Sequence, residues 1–289
     1  MDNVNAIEIK GLCKKYADFR LDNLNLSVAP GTITGLVGAN GAGKSTTIKL
    51  ILNLIRRDEG SVKVFGLDNI AEESAVKSQI GVVFDEPCFH DMLSPAHISQ
   101  YMQGLYPTWD KARYAGYLKQ FGLPEGKPVK EFSRGMKMKL AIAAAMSHGA
   151  RLLILDEPTS GLDPLVRDEI LDIFLEFLQK EDHAILLSSH ITSDLDKIAD
   201  TIALLDHGRL LFHEEKDELR DKYALVKGGR EAIDAVGRQR MIGVRENRFG
   251  FEGLCLREDA RRVPGLELER PTIEEIMLFF TRSERSDRK

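Results

Sequence analysis

Cysteine is scarce in this chain, with only Cys13, Cys88 and Cys255 among 289 residues. The three lie far apart and form no Cys-x-x-Cys pair, which favours neither a zinc site nor a disulfide framework and suits a reducing compartment. No apolar run approaches the roughly 18 residues that a membrane-spanning helix needs. The first ten residues lack the basic start and apolar stretch of a signal peptide, so we expect no secretory leader.

An excess of positive charge is also absent. The chain has 40 lysines and arginines against 45 acidic residues, for a formal net charge of −5. Generalised binding to nucleic acid is therefore not expected. The composition, 43% hydrophobic and 29% charged, is ordinary for a globular protein. The length allows one large domain, with or without a small appendage. Because no apolar run is long enough to span a membrane, a partner would have to supply any membrane spans.

The chain does contain a glycine-rich octapeptide, Gly-Ala-Asn-Gly-Ala-Gly-Lys-Ser, at residues 38–45. An apolar run at 33–37 precedes it and a helix-like run at 45–52 follows it, which is the strand, loop and helix order of a phosphate loop. Glycines let successive backbone N–H groups curl around an anion, and the helix N-terminus adds partial positive charge. The alternative is a glycine-rich turn without a ligand. The predicted nucleotide contacts are Gly38, Ala39, Asn40, Gly41, Ala42, Gly43, Lys44, Ser45 and Thr46.

Two acids at the end of a predicted buried strand are the second signal for nucleotide chemistry. The apolar run Leu152–Leu155 is followed directly by Asp156 and Glu157. In open parallel sheets, ligands bind at the carboxyl ends of the strands. We predict that Asp156 joins Ser45 in a Mg²⁺ shell and that Glu157 activates the attacking water as general base. Two solvated acids at a strand end are the plainer alternative.

The order of the predicted elements indicates an α/β fold. Apolar runs at 80–84, 152–155 and 184–187 have the composition of buried strands and alternate with helical segments, which favours a parallel sheet. Helical periodicity at 94–122, broken near a proline, and at 134–148 predicts a helical block.

The character of the chain changes after about residue 214. A charged helical segment is predicted at 214–223, and a glycine- and arginine-rich segment with short β-like runs follows it. An amphipathic helix is predicted at 271–280 with Pro271 at its start, and residues 282–289 are expected to fray.

Five motifs occur in a fixed order along the chain. They are the phosphate loop, Phe132–Met136, Asp156–Thr159, Ser160–Asp163 and Ser188–His190. In this order they resemble the nucleotide-binding subunit of an ATP-binding cassette (ABC) transporter, of the bacterial exporter type whose membrane subunits are encoded separately. The resemblance covers about residues 5–215. It implies a P-loop ATPase core with a mostly parallel sheet, an N-terminal antiparallel β part and a helical subdomain at about 87–150, which leaves 216–289 as a small α+β accessory region.

The resemblance also implies a function and partners. ATP and Mg²⁺ are the expected ligands, and ATP hydrolysis would power substrate export through a separate integral membrane permease. The chain would lie in the cytoplasm on the inner face of the membrane, as a homodimer or with a closely related second ATPase subunit. A soluble ABC ATPase acting on ribosomes or DNA is the alternative; the single cassette, the missing coiled-coil or zinc insertions and the acidic balance argue against it. The transported substrate stays open.

The resemblance places a second group of residues against the ATP of the other subunit. Ser133 and Gly135 would contact its γ-phosphate, and Asp163 would communicate between the two sites. Relative to the commoner Leu-Ser-Gly-Gly-Gln, Arg134 replaces the first glycine and Met136 replaces the glutamine. We hypothesise that Arg134 adds a cation near the partner's nucleotide. Helix capping alone is the other explanation for Ser133 and Asp163.

The remaining expected site residues also follow from the resemblance. His190 would contact the γ-phosphate and support the attacking water, and Tyr16 would stack on adenine. The family usually has a glutamine Mg²⁺ ligand after Phe84, where this chain has Asp85 and Glu86. A carboxylate is a good hard ligand for Mg²⁺, so Asp85 takes this role here, with Glu86 or a plain turn acid as alternatives.

Overall fold

A six-stranded sheet forms the centre of the computed structural model, which describes residues 4–86, 89–229, 233, 237, 240–261, 263 and 266–286. Numbered in chain order, its strands lie side by side as β10 (Arg209–Glu215), β9 (Thr201–Asp206), β3 (Ile33–Val37), β8 (Ala184–Ser189), β7 (Leu152–Asp156) and β6 (Ile80–Val83). The strands from β9 to β6 are parallel, and β10 is antiparallel to β9. The five parallel strands therefore end at one edge of the sheet.

Both faces of this sheet are covered, which explains its continuous apolar runs. Leu152 and Ile154 of β7 pack into the apolar cluster on one face, with helix α1 (Lys44–Ile51). Leu153 and Leu155 pack into the cluster on the other face. That second cluster includes α6 (Pro164–Phe177) and α7 (Thr192–Ile198). The sheet and its phosphate loop are thus held rigidly between two layers.

The N-terminal part is an antiparallel sheet with the order β2 (Arg20–Val28), β1 (Ile7–Lys15), β4 (Glu59–Val64) and β5 (Leu67–Asp68). Its inward residues join the cluster that contains α1. The short helix α2 (Glu73–Lys77) follows. The predicted N-terminal antiparallel part is confirmed.

The predicted helical block comprises α3 (Pro95–Leu105), α4 (Lys111–Gln120) and α5 (Arg134–Met146), with a single 3-10 turn at Val129–Glu131. The side chains of Ser94 and Asp110 cap the N-termini of α3 and α4. Pro107 lies in the connection between the two helices and belongs to neither. Phe89 is partly buried against this block. Pro87 and Cys88, at the predicted start of the subdomain, lie outside the described residues.

The C-terminal region is the predicted α+β extension. In chain order its described elements are α8 (Lys216–Lys222), β11 (Tyr223–Gly228), β12 (Met241–Glu246), β13 (Phe251–Leu256), α9 (Arg257–Ala260), β14 (Glu267–Glu269) and α10 (Ile273–Ser286). Its strands form an antiparallel sheet with the order β12, β13, β11 and β14. Helix α10 packs against α7 and shares its apolar cluster. The region therefore packs directly on the domain that contains the six-stranded sheet.

Three predictions of element bounds in this region were wrong. The helix expected from residue 214 begins at Lys216, because β10 pairs with β9 as far as Glu215. The last helix begins after Thr272, whose hydroxyl accepts the N–H of Glu275 at 3.2 Å while the Glu275 carboxylate accepts the N–H of Thr272 at 2.7 Å. Residues 282–286 are helical, contrary to the expected fraying, as a continuation of the packed helix α10.

Candidate nucleotide-binding site

A cavity of about 780 Å³ opens at the carboxyl edge of the parallel strands. It lies where the phosphate loop, the ends of β6, β7 and β9, and the residues after β1 come together. Its lining residues are Tyr16, Asp18, Phe19, Ala39, Asn40, Gly41, Ala42, Gly43, Lys44, Ser45, Thr46, Asp85, Asp156, Glu157, Asp206 and His207. Every predicted phosphate-loop contact except Gly38 therefore faces one space.

The phosphate loop adopts backbone conformations that require glycine. Gly41 has φ +81° and Gly43 has φ +115°, in the region that side chains disfavour. At Gly38 a Cβ would lie 2.4 Å from the carbonyl oxygen of Leu205, so the strand β9 forces this position to be glycine as well. Lys44 is only 6% exposed and folds back over the loop, where its Nζ donates to the Gly38 carbonyl at 2.7 Å.

Lys44, Glu157 and His190 form one connected chain of polar groups. Lys44 Nζ lies 3.5 Å from Glu157 Oε1, and His190 Nδ1 lies 2.6 Å from Glu157 Oε2. Glu157 has φ +54°, unusual for a non-glycine residue, and its N–H donates to the Ser188 carbonyl at 3.0 Å. Backbone strain of this kind is common at active sites. Three motifs that are far apart in the sequence thus meet at one carboxylate.

The donor set fits a magnesium ion bound together with phosphate. Ser45, Asp85 and Asp156 line the same cavity and offer hard oxygen ligands. Ser188 Oγ donates to Asp156 Oδ1 at 2.7 Å, which fixes the carboxylate and leaves its second oxygen for a ligand. Among the described residues no group of three or more histidine, cysteine or acidic side chains is placed to hold a metal alone. Phosphate and water would therefore complete the shell, as is usual for Mg²⁺.

Asp85 and Glu86 differ in where they lie. Asp85, just after β6, lines the cavity, whereas Glu86 is exposed and does not. The Asp85 carboxylate is paired with Arg134, with Oδ1 at 2.6 Å from Nη2. This contact within one chain was not expected from the sequence, from which we placed Arg134 against the nucleotide of another subunit.

Ser133, Arg134, Gly135, Met136 and Asp163 do not line the cavity. They lie at the adjoining starts of α5 and α6, where a Cβ on Gly135 would be 3.1 Å from Val166 Cγ1. Ser133 Oγ accepts the N–H of Met136, and Asp163 Oδ1 accepts those of Leu165 and Val166, each at 3.2 Å. Both side chains therefore cap a helix. None of the five residues lines the nucleotide cavity of its own chain, although Arg134 contacts Asp85 at the cavity edge.

Comparison with known proteins identifies the family. The ABC transporter family model matches residues 21–160. The daunorubicin/doxorubicin resistance ATP-binding protein DrrA of Streptomyces peucetius is 37% identical over 221 residues, covering 74% of this chain and 67% of that protein. The daunorubicin resistance ATP-binding protein DrrA3 of Streptomyces coeruleorubidus is 30% identical and covers 97% of each. This chain belongs to the ABC transporter family, as an ATP-binding subunit.

Other relatives and solved structures agree with this assignment. The bacitracin transport ATP-binding protein BcrA of Enterococcus faecalis is 34% identical over 75% of this chain and 71% of its own length. A solved ATP-binding subunit of an ABC transporter superposes with a TM-score of 0.69 at 29% identity, over 74% of this chain and 92% of that one. The predicted family, the P-loop ATPase fold and the ATPase activity are thereby confirmed. Among the described helices of this ABC protein, none is both long and apolar enough to cross a bilayer.

Sequence reasoning missed four residues that line the cavity of this ABC ATPase: Asp18, Phe19, Asp206 and His207. Asp206 ends β9 beside the phosphate-loop strand, so the same rule that singled out Asp156 applies to it. It is only 3% exposed, and within the described residues its Oδ2 has no hydrogen-bond partner. Tyr16 lies at the cavity and is 43% exposed.

Proposed function

We propose that two copies of this ABC subunit bind Mg-ATP between them and that hydrolysis drives export through a separate membrane permease. The observation that carries the proposal is the contact of Lys44 and His190 with one carboxylate, Glu157, at the edge of a cavity that fits a nucleotide. A lysine, a carboxylate on a strained backbone and a histidine lie together at a phosphate-loop cavity. Groups of these kinds suit phosphoryl transfer to water.

The roles of the residues follow from their positions. Lys44 exchanges its bond to the Gly38 carbonyl for one to the terminal phosphates, while the loop N–H groups hold the remaining phosphate oxygens. Ser45 and Asp156 would hold Mg²⁺, with Asp85 nearby; when bound, the ion neutralises charge that develops on the phosphates. Glu157 takes the proton of the attacking water, and His190 orients that carboxylate. Tyr16 supports the base by stacking.

The surface at the starts of α5 and α6 serves the second subunit. The N-terminus of α5 offers free N–H groups and a positive dipole end beside Ser133, Gly135 and Met136. Since Ser133, Gly135 and Met136 do not line the cavity of their own chain, we assign this surface to the ATP of another chain. Leu165, two residues after Asp163, is 78% exposed, and the proposed subunit contact would bury it.

The partner is a membrane permease, on the cytoplasmic side of which the dimer binds. The helical block exposes apolar side chains at Met92, Tyr101 and Leu105, between 61% and 71%, which supports a protein contact on that face. Relatives named for daunorubicin resistance and bacitracin transport support export of an antibiotic-like substrate. Purification from native membranes tests this: a permease should accompany the chain, and recovery with ribosomes or DNA would contradict the proposal.

Replacement of Glu157 by glutamine tests the catalytic role. Glu157→Gln keeps the shape of the site but removes the base, so ATP turnover should fall by about 10²- to 10⁴-fold while ATP binding is retained. Steady-state phosphate release and equilibrium nucleotide binding measure the two properties. The matched control is Glu181→Gln, which changes an exposed carboxylate away from the cavity. Equal turnover in the two variants would contradict the assignment.

A further inference from the structure

The two clearest departures of this chain from the usual motif pattern are in direct contact. Asp85 stands where the family usually carries glutamine, and Arg134 stands where it usually carries glycine. They are 49 positions apart in the sequence, yet Arg134 Nη2 donates to Asp85 Oδ1 at 2.6 Å. Neither departure has an evident reason by itself. Together they form an ion pair between a segment that faces the nucleotide cavity and the start of α5.

Arg134 also reaches a third motif. A Cβ on Gly161 would lie 2.9 Å from Arg134 Nη1 and 3.2 Å from its Cζ, so the guanidinium lies against the turn at Ser160–Asp163. That turn leads into α6, whose start adjoins Ser133. One side chain therefore joins Asp85, at the chain's own cavity, to the surface that we assign to the partner's ATP.

The charges at the cavity give this ion pair a consequence. Five carboxylates, those of Asp18, Asp85, Asp156, Glu157 and Asp206, line a space for a polyphosphate. Without a metal ion, an unpaired Asp85 would repel the phosphates, and with Mg²⁺ it would attract the ion. The pair is half exposed on both sides, with 49% and 48% of the side chains accessible, and exposed pairs are weak. It is therefore weak enough to be exchanged for Mg²⁺.

We propose that Arg134 is a positioning residue of its own chain's magnesium site. It pairs with Asp85 while the cavity lacks Mg-ATP and releases it when the ion binds. The freed guanidinium then lies on the surface that faces the partner's nucleotide, so loading of one site prepares the same chain for the other. This inference rests on the proposed function of the cavity and adds a coupling between the two sites.

The test is the magnesium dependence of nucleotide affinity. The dissociation constant of a non-hydrolysable ATP analogue is measured with Mg²⁺ and with EDTA, at protein concentrations where sedimentation shows single chains. In Arg134→Ala the unpaired Asp85 weakens binding in EDTA and strengthens it with Mg²⁺. The ratio of the dissociation constant in EDTA to the dissociation constant with Mg²⁺ should therefore rise by about two- to fivefold. Arg134→Lys keeps the charge and should stay closer to the unsubstituted chain.

Two further variants separate this role from a general effect of positive charge on α5. In an Asp85→Asn background, Arg134→Ala should leave the ratio unchanged, because the carboxylate it pairs with is gone. Lys137→Ala removes the same charge from the same helix, where Lys137 pairs with Asp91 at 3.3 Å, and should also leave the ratio unchanged.

The outcomes distinguish this inference from the function on which it rests. If the unsubstituted chain binds no nucleotide, the proposed function fails. If the unsubstituted chain binds nucleotide but Arg134→Ala has the same ratio of dissociation constants in EDTA and with Mg²⁺, the inference alone is overturned. A change in ratio that persists without Asp85, or that Lys137→Ala reproduces, overturns it equally.

Discussion

Lys44 shows how a polar group of the site is held by protein partners that, on the proposed function, the nucleotide replaces. Its ammonium group is almost completely buried, and burial of an unpaired charge is costly. The Gly38 carbonyl and the Glu157 carboxylate satisfy it. Glu157 is shared with His190, and Asp85 with Arg134. Ligand binding at this site is thus an exchange of contacts, in which phosphates and Mg²⁺ take the places of protein groups.

Lys44→Ala should lower ATP affinity by about 10- to 100-fold, because hydrogen bonds to charged groups contribute about 1.5–3 kcal/mol each. The matched control is Lys49→Ala, which removes an exposed lysine from the same helix α1. Equilibrium binding of ATP measures both variants. If Lys44→Ala and Lys49→Ala bound ATP equally well, Lys44 would have no part in holding the phosphates.

At this scale the sequence predicted the residues whose position follows from a strand and the loop after it. The phosphate loop, Asp156 and Glu157 are of this kind, and the structure places them at one cavity. The sequence did not predict the pairing of Asp85 with Arg134, because no local pattern relates side chains 49 positions apart. Asp206 was within reach of the strand-end rule, but no neighbouring motif singled it out.

Helix α10 matters at the scale of the elements because of the helix on which it packs. Its buried residues Ile273, Ile276 and Phe279 share an apolar cluster with Leu195 and Ile198 of α7. Helix α7 begins two residues after His190. The C-terminal region therefore supports the helix that positions the histidine of the site.

Further polar contacts hold the same helix. Lys216 Nζ donates to the Asp196 carbonyl of α7 at 2.9 Å, and burial raises the pKa of the Asp196 carboxyl. Arg220 Nη1 lies 3.9 Å from that carboxylate and, through Nε, donates to the Pro271 carbonyl at 3.2 Å. The junction between the core and its C-terminal region is thus both apolar and ionic.

Ile276→Ala should lower the free energy of unfolding by about 2–5 kcal/mol, since it opens a cavity between α10 and α7. Glu274→Ala, at an exposed position of the same helix, should change it by no more than about 0.5 kcal/mol. Urea unfolding measures both. Equal stability of the two variants would show that α10 does not pack on the core as described.

The periodicity of the sequence predicted that this helix exists but not where it begins and ends. Pro271 is a common first residue of a helix, yet the capping pair of Thr272 and Glu275 moves the start to Ile273. Similarly, pairing of β10 with β9 extends a strand into a segment whose charge pattern favours a helix. The first boundary is therefore set by a local cap, whereas the second is set by pairing with another strand, which overrides the local preference.

The stability of the whole molecule should depend on pH through its buried histidines. Burial lowers the pKa of His148 and of His213 below the ordinary value of 6.5. His148 Nδ1 and His213 Nε2 are buried without hydrogen-bond partners in the described structure, and burial is the largest influence on the pKa of each ring. The unfolded chain therefore binds more protons than the folded chain once the pH falls below about 6.5.

The free energy of unfolding should have its highest contribution from these histidines above pH 6.5. It should fall on acidification by up to about 1.4 kcal/mol per pH unit for each histidine. Urea unfolding at about pH 7.5 and pH 5.5 measures this difference. His148→Gln and His213→Gln should each reduce it, whereas His207→Gln, at an exposed position, should not. A difference unaffected by either of the first two substitutions would assign the acid sensitivity to other groups.

On the proposed function, the separation of two surfaces on one chain makes the whole molecule one half of each nucleotide site. The cavity holds the phosphate loop and Glu157, while Ser133 and Asp163 lie outside it at the starts of α5 and α6. A complete site on this account needs a second copy, and the nucleotide itself lies in the interface.

The most direct test is the molar mass of Glu157→Gln in solution, determined by light scattering with and without Mg-ATP. Because this variant binds ATP without consuming it, the mass should change from one chain to two, with one nucleotide per chain, and revert when Mg²⁺ is chelated. A chain that saturates with Mg-ATP and keeps the mass of a single copy would contradict the proposed two-subunit site.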